Sequence, residues 1–537
     1  MTTHHGAGIS RRAVLAQGTA VAAATASMLP FGLTSAAASS RSPVANTAAG
    51  KVRGTAHSGV LVFKGVRYGA DTAPRRFMPP AAPEAWKGVK DALEYGPASP
   101  QSRPEEPGSE DCLFLNIWTP ALRDHKKRPV MVYLHGGAYA HGSGSHPLYD
   151  GVKLCQRGDV VVVTLNHRLG AMGYLYLARL GDARFADSGN AGSLDIVLSL
   201  RWVRENIAEF GGNANNVMVF GQSGGGAKIA AMMAMPTAAG LFHRAATMSG
   251  QQVTASGPLN ATKRAQAYLG ALQLPERRVD EIATLPTQDL VTALNATDPV
   301  IGQGTLYFGP VLDERTLPRH PFYPDAPPLS AHIPMMIGNT HDETRSLIGA
   351  NDPRWFSLTW DDVPARLANH MRVDISPDLV VAEYRRWYPK YSPTDVFFSA
   401  TTASRSWRAA IIEAELRAQQ DSPAFVYQLD WPSPQDGGKW GAPHTLDIPL
   451  VFGNLAAKGS ITGTGEDAQA VSTQMSEAFI AFARTGNPGH SDLPEWKPYT
   501  LAARETMVIN STSVLVNDPR GEERKLFAKV PFTQQGT

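Results

Sequence analysis

Cysteine is nearly missing from this chain: 537 residues hold only Cys112 and Cys155. Neither belongs to a CxxC pair, and both stand among apolar neighbours, Leu113 to Leu115 for the first and Val152 with Leu154 for the second. A disulfide scaffold is thereby excluded, and the pattern predicts two buried, unreactive thiols. The 15 histidines are scattered without ligand spacing, so no metal site is expected. Charge of one sign is lacking too. Fifty Lys+Arg face 48 Asp+Glu, the net charge is +2, and no long basic run occurs, so nucleic acid is not expected as a partner. Charged residues make up only 18% of a chain that is 43% hydrophobic, which excludes disorder and predicts a large buried core.

Residues 1–38 read as an export leader. Arg11 and Arg12 precede a mildly apolar Ala/Thr-rich stretch, and Ala36-Ala37-Ala38 offers a small-residue cleavage site. The pattern resembles a twin-arginine signal and predicts an exported protein, extracellular or in the cell envelope, without a stable membrane anchor. The competing reading, an uncleaved membrane span, is weakened by Gln17 and Pro30. Beyond it, residues 45–535 read as one α/β domain. Short alternating runs from Lys51 to Tyr68 predict an antiparallel opening. Val130 to Leu134 and Val160 to Leu165 are continuous apolar runs, as in strands buried on both faces of a mostly parallel sheet. Leu194, Val197, Leu198, Trp202 and Ile207 repeat at helical spacing.

The most informative stretch begins at Val217. A β-branched and aromatic run ends at Gly221-Gln222-Ser223-Gly224-Gly225, and a small-residue segment of helical character, Ala227 to Met235, follows. Strand, sharp turn and helix in that order place Ser223 at the carboxyl end of a strand, with Gly221 and Gly225 small enough to let the two elements pass. This resembles a nucleophile elbow. Upstream, the strand at Val130 runs into His135-Gly136-Gly137-Ala138, a turn whose backbone amides can face a carbonyl oxygen. Gly137, Ala138 and Gly224 are the candidate oxyanion donors.

Many further segments stand in the order of one family: Phe63-Lys64-Gly65-Val66, Tyr95-Gly96-Pro97, Ser109 to Asn116, Asn166-His167-Arg168-Leu169-Gly170, Gly211-Gly212-Asn213 and Thr485-Gly486-Asn487-Pro488. On these the chain resembles the type-B carboxylesterases, which include para-nitrobenzyl-type esterases, cholinesterases and neuroligins. The resemblance implies an α/β-hydrolase fold: a large central, mostly parallel sheet flanked by helices, with inserted helical segments that form the pocket. It also implies a catalytic triad of Ser223, Glu343 in Gly338-Asn339-Thr340-His341-Asp342-Glu343, and His444 in Gly441-Ala442-Pro443-His444, with Asp342 and Asp313 as weaker candidates for the acid. Structural ion pairs Arg76–Glu110 and Arg168–Asp195 are implied as well. No cofactor is required.

The chain departs from the family at Gln222 and Gly224, where glutamate and alanine are common. Ser99 replaces a common cysteine, and the loop before Cys112 has no tryptophan of the choline-binding kind. The expected function is a secreted serine carboxylesterase acting through an acyl-enzyme on a small ester with an apolar group. The aromatics Trp355, Phe356, Trp360, Trp387, Tyr388 and Trp407 belong to a region that helps wall the pocket in the family, although each singly is expected to pack helices. The alternatives are the same triad acting on carbamates, amides or lactones, or in acyl transfer, and a non-catalytic neuroligin-like binding protein.

Overall fold

A run such as Val130-Met131-Val132-Tyr133-Leu134 is apolar at every position, so as a strand it must be covered on both faces. The computed structural model describes residues 42–102, 104, 108–420 and 422–536, and in it this strand lies at the centre of a large sheet. The leader expected at residues 1–38 lies outside the described residues. A small sheet combines β1 (Val44–Asn46), β2 (Lys51–Arg53) and β5 (Val89–Asp91). The large one opens with β3 (Thr55–His57), β4 (Val60–Arg67) and β6 (Phe114–Thr119), antiparallel neighbours as the Lys51–Tyr68 pattern predicts. Its centre is β7 (Arg128–Leu134), β8 (Val161–Leu165), β9 (Gly212–Gln222), β10 (Arg244–Met248) and β11 (Met335–Thr340). It closes with β12 (Ala424–Leu429), β13 (Glu505–Ile509) and β14 (Val514–Asn517).

The order is β14-β13-β12-β11-β10-β9-β7-β8-β6-β4-β3, parallel from β13 through β8 and antiparallel at both edges. Side chains alternate between two cores, as the two-residue strand period requires. Val130, Val132 and Leu134 join Val217, Val219 and Ile196 on one face, under helices Ala191–Asn206 and Arg408–Gln419. Met131, Tyr133, Met218 and Phe220 face the other way, onto Phe479 and Phe482 of helix Glu466–Thr485. Cys112 and Cys155 are free and buried, and burial pushes the Cys155 thiol up to about 12, so both are poor nucleophiles. Among the described residues no helix is long and apolar enough to cross a membrane.

The expected ion pairs form. Arg76 grips Glu110 through two nitrogens at 2.6 and 2.7 Å. Arg168 donates to Asp195 from its side chain at 2.6 and 2.8 Å and from its own amide at 2.9 Å, with both residues fully buried. Removing one partner of such a pair strands the other charge. Asp195→Ala is therefore expected to cost about 3–5 kcal/mol of stability, read from urea unfolding midpoints.

Candidate active site

β9 ends and a helix, Gly224–Met232, begins with a single residue, Ser223, between them. That helix starts three residues before the Ala227 expected from the sequence. Ser223 has φ 55° and ψ −125°, a strained conformation for a residue with a side chain. The glycines on either side make it attainable. A Cβ on Gly225 would lie 1.9 Å from the Leu134 carbonyl oxygen, and one on Gly221 would lie 2.7 Å from the same atom and from the Gly225 backbone. The turn is pinned by the Ser223 amide, which donates to the Met248 carbonyl at 2.7 Å.

The loop after β7 arrives beside this turn. Ala138 has φ 51°, and its backbone lies so close to Gly224 that a Cβ there would sit 2.2 Å from the Ala138 carbonyl oxygen. Glycine in place of the common alanine at 224 thus suits this loop position. Among the described residues the amides of Gly137, Ala138 and Gly224 donate to no protein acceptor. Ala138 and Gly224 line a cavity of about 220 Å³ together with Ser223 and His444, while Gly137 lines a separate cavity with Gly136 and His141.

Under the loop lies Lys228, a buried lysine that the sequence reading passed over. Its Nζ donates to the His135 carbonyl at 3.1 Å and sits 5.6 Å from the Tyr139 ring centre. Burial holds its pKa down to about 7. His135 and His167 stack beside it, centroids 4.8 Å apart, and burial together with the Lys228 charge keeps both imidazoles neutral.

Glu343 follows β11 and His444 follows β12. His444 Nδ1 bonds to Glu343 Oε2, while the other carboxylate oxygen accepts from the Thr340 amide at 2.9 Å and Asn339 Nδ2 at 3.2 Å. Burial pushes the Glu343 carboxyl up, but the His444 charge and hydrogen bonds from His444, Ser249 and the Thr340 amide prevail and hold it below its ordinary value. Asp342 turns elsewhere, to His341 at 3.2 Å, Arg345 at 3.3 Å and the Ala442 amide at 3.0 Å. Asp313 caps its own loop and accepts from Asn190 at 2.8 Å. Neither meets His444, so of the three acids weighed from the sequence Glu343 alone takes that place.

The second imidazole nitrogen faces Gln222, whose Nε2 lies 3.1 Å from His444 Nε2 and 3.4 Å from Nδ1. Ser223 and His444 share the cavity without a hydrogen bond between them, a looseness common before substrate arrives. Behind the ring, burial and the Glu343 charge raise the Asp447 carboxyl to about 7, and Tyr427 donates to it at 3.1 Å.

The six aromatics weighed from the sequence build a satellite core instead of the cavity wall, except Trp407, which joins a main core. Trp355, for example, stacks on Phe397 at 5.0 Å. The segment from Leu347 to Trp407 does reach the cavity, but through Leu347, Arg372, Arg405 and Ser406 in place of its aromatics; Tyr307 and the tail residues Phe532 and Gln534, which carried no sequence signal, complete the wall.

An elbow serine, a glutamate-held histidine and unpaired loop amides around one cavity on this sheet define the α/β-hydrolases that cleave acyl bonds. The chain belongs to the carboxylesterase family, enzymes acting on carboxylic esters, whose sequence profile matches residues 41–527. It is 37% identical over 509 residues to the para-nitrobenzyl esterase of Bacillus subtilis, covering 90% of this chain and 98% of that protein. It is 34% identical to the phenmedipham hydrolase of Pseudarthrobacter oxydans, covering 87% and 95% of the two chains. A crystal structure of a Geobacillus stearothermophilus carboxylesterase superposes with a TM-score of 0.80 at 35% identity, covering 90% of this chain and 99% of that one.

Two outcomes test this local chemistry. A carboxylate beside His444 favours the imidazolium, so Gln222→Glu is expected to move the acid limb of the pH–rate profile to higher pH. Lys228 binds its proton less tightly folded, at about 7, than at its ordinary 10.5, so its burial costs most below pH 7. Across the window from 7 to 10.5 the wild type gains stability with rising pH. Lys228→Met is therefore expected to exceed the wild type at pH 6 and to lose that lead by up to about 1.4 kcal/mol per pH unit on the way to pH 10, measured by urea unfolding.

Proposed function

We propose that the protein is a serine carboxylesterase working through an acyl-enzyme, with Ser223 as nucleophile, His444 as general base and acid, and Glu343 as the group that orients the imidazole. The observation that carries this reading is the bond between His444 Nδ1 and Glu343 in the cavity that Ser223 enters. With its Nδ1 proton committed to Glu343, the ring leaves Nε2 as the basic nitrogen. A small rotation of Ser223 Oγ toward Nε2, displacing the Gln222 amide, lets the proton leave as oxygen attacks the ester carbonyl.

The carbonyl oxygen then turns toward the amides of Gly137, Ala138 and Gly224, each such donor being worth about 3 kcal/mol in the transition state. Glu343 stabilises the imidazolium, which gives its proton to the departing alcohol. Water enters by the same path in reverse and releases the acid. An apolar part of the substrate fits against Leu347, Ala409 and Phe532, which line the cavity. The paired arginines Arg11 and Arg12 and the following Ala/Thr-rich stretch support export of the chain by a twin-arginine route.

Hydrolysis of para-nitrophenyl esters from acetate to decanoate tests the reading. Turnover with a chain-length optimum is expected, and Ser223→Ala is expected to lower kcat by roughly 10⁴- to 10⁶-fold while the fold, read by circular dichroism, persists. Equal turnover by that variant would move the chemistry away from Ser223.

A further inference from the structure

The cavity that Ser223 and His444 line is also lined by two arginines, Arg372 and Arg405, and among the described residues by no aspartate or glutamate. Arg405 lies in a π-helical turn, Ala403–Trp407, inserted between helices Pro393–Thr402 and Arg408–Gln419. Such turns add a residue to a helix and re-aim side chains, and they recur at functional sites. Here the turn presents Arg405 and Ser406 to the cavity.

Arg372 follows the helix Val363–His370. Its carbonyl accepts from the Thr533 amide at 2.7 Å, which fastens the tail to it, and its guanidinium donates to the Gln535 side chain, a neutral partner. The Arg405 guanidinium has no hydrogen bond or ion pair among the described residues. The nearby Glu343 carboxylate attracts it, but that group is already occupied by His444, Asn339 and the Thr340 amide. Burial and mutual repulsion hold the Arg405 pKa down to about 10, and burial lowers that of Arg372.

Among the buried arginines, Arg128, Arg168, Arg264 and Arg520 each meet a carboxylate, and Arg417 is held by the Ser330 and Ile333 carbonyls and Gln420, whereas the Arg405 guanidinium has neither kind of partner among the described residues. Two guanidiniums brought into one cavity without a carboxylate carry an uncompensated desolvation cost. A bound anion removes it, and the planar fork of arginine suits a carboxylate in particular.

We infer that Arg405 and Arg372 form a carboxylate subsite, so that the substrate is an ester that also bears a free carboxylate, such as the monoester of a short dicarboxylic acid. This rests on the esterase reading of the same cavity. The aliphatic part of the substrate spans the distance between the reacting carbonyl at Ser223 and the charged end at the arginines, beside Leu347 and Phe532.

Monoethyl glutarate and ethyl pentanoate have the same chain and differ in one carboxylate, so their kcat/KM ratio isolates the charge. The wild type is expected to favour monoethyl glutarate, and Arg405→Met to lower the ratio by on the order of 10- to 100-fold through KM. Arg372→Met gives the same direction should Arg405→Met fail to fold. Calorimetric titration adds a readout independent of turnover: glutarate binds the wild type, uncharged glutaramide does not, and Arg405→Met loses glutarate. A wild type that prefers ethyl pentanoate, a ratio unmoved in both variants, or glutarate binding no tighter than glutaramide overturns the subsite. Glutarate binding intact with no hydrolysis of either ester or of the para-nitrophenyl series overturns the esterase reading alone and leaves the subsite standing.

Discussion

Everything at the site depends on one crowded crossing, where the backbone of Gly225 passes so near the Leu134 carbonyl that no side chain fits. That contact brings the end of β7 and the turn after β9 together, and each delivers half of the reacting geometry. β9 delivers Ser223 in a conformation with positive φ, and β7 delivers the Gly137 and Ala138 amides. The strain at Ser223 is small beside the many apolar contacts that the two sheet faces make, so the fold can hold it without yielding.

A second constraint is the fate of buried charge. Asp195, Asp298 and Glu523 neutralise arginines that serve the architecture. Around the cavity the interior is left unbalanced. Lys228 sits beneath the loop of donors with a carbonyl as its hydrogen-bond acceptor, and the Arg405 guanidinium faces the cavity without a partner among the described residues. Glu413, buried in the same region, accepts among the described residues from the Gln252 amide alone, at 2.9 Å, and burial raises its pKa to about 8. Groups that the fold does not neutralise are the ones a ligand or a proton can still address.

Much of this was legible in the residues. The apolar runs at Val130 and Val160 could only be doubly covered strands, and the pentapeptide at Gly221 could only be a tight strand-to-helix turn once its neighbours were read. The antiparallel opening, the two thiols and the ion pairs Arg76–Glu110 and Arg168–Asp195 followed from pattern and resemblance, and each forms. The aromatic-rich segment was ambiguous because an aromatic that packs a helix and one that walls a pocket have the same sequence signature. Trp355 against Phe397 resolves that case as packing.

The sequence by itself determined what is local: glycines where the backbone crosses closely, two-residue alternation where strands have two covered faces, and a serine at the end of one strand. Those features depend on neighbours in the chain. Tertiary structure decided which carboxylate faces His444, that Gln222 lies against the same ring, and that Arg372, Arg405 and the tail share a cavity with Ser223. These approaches join residues about a hundred or more positions apart. They are fixed by sheet order and by one extra residue in a helical turn, neither of which leaves a periodic trace in the sequence.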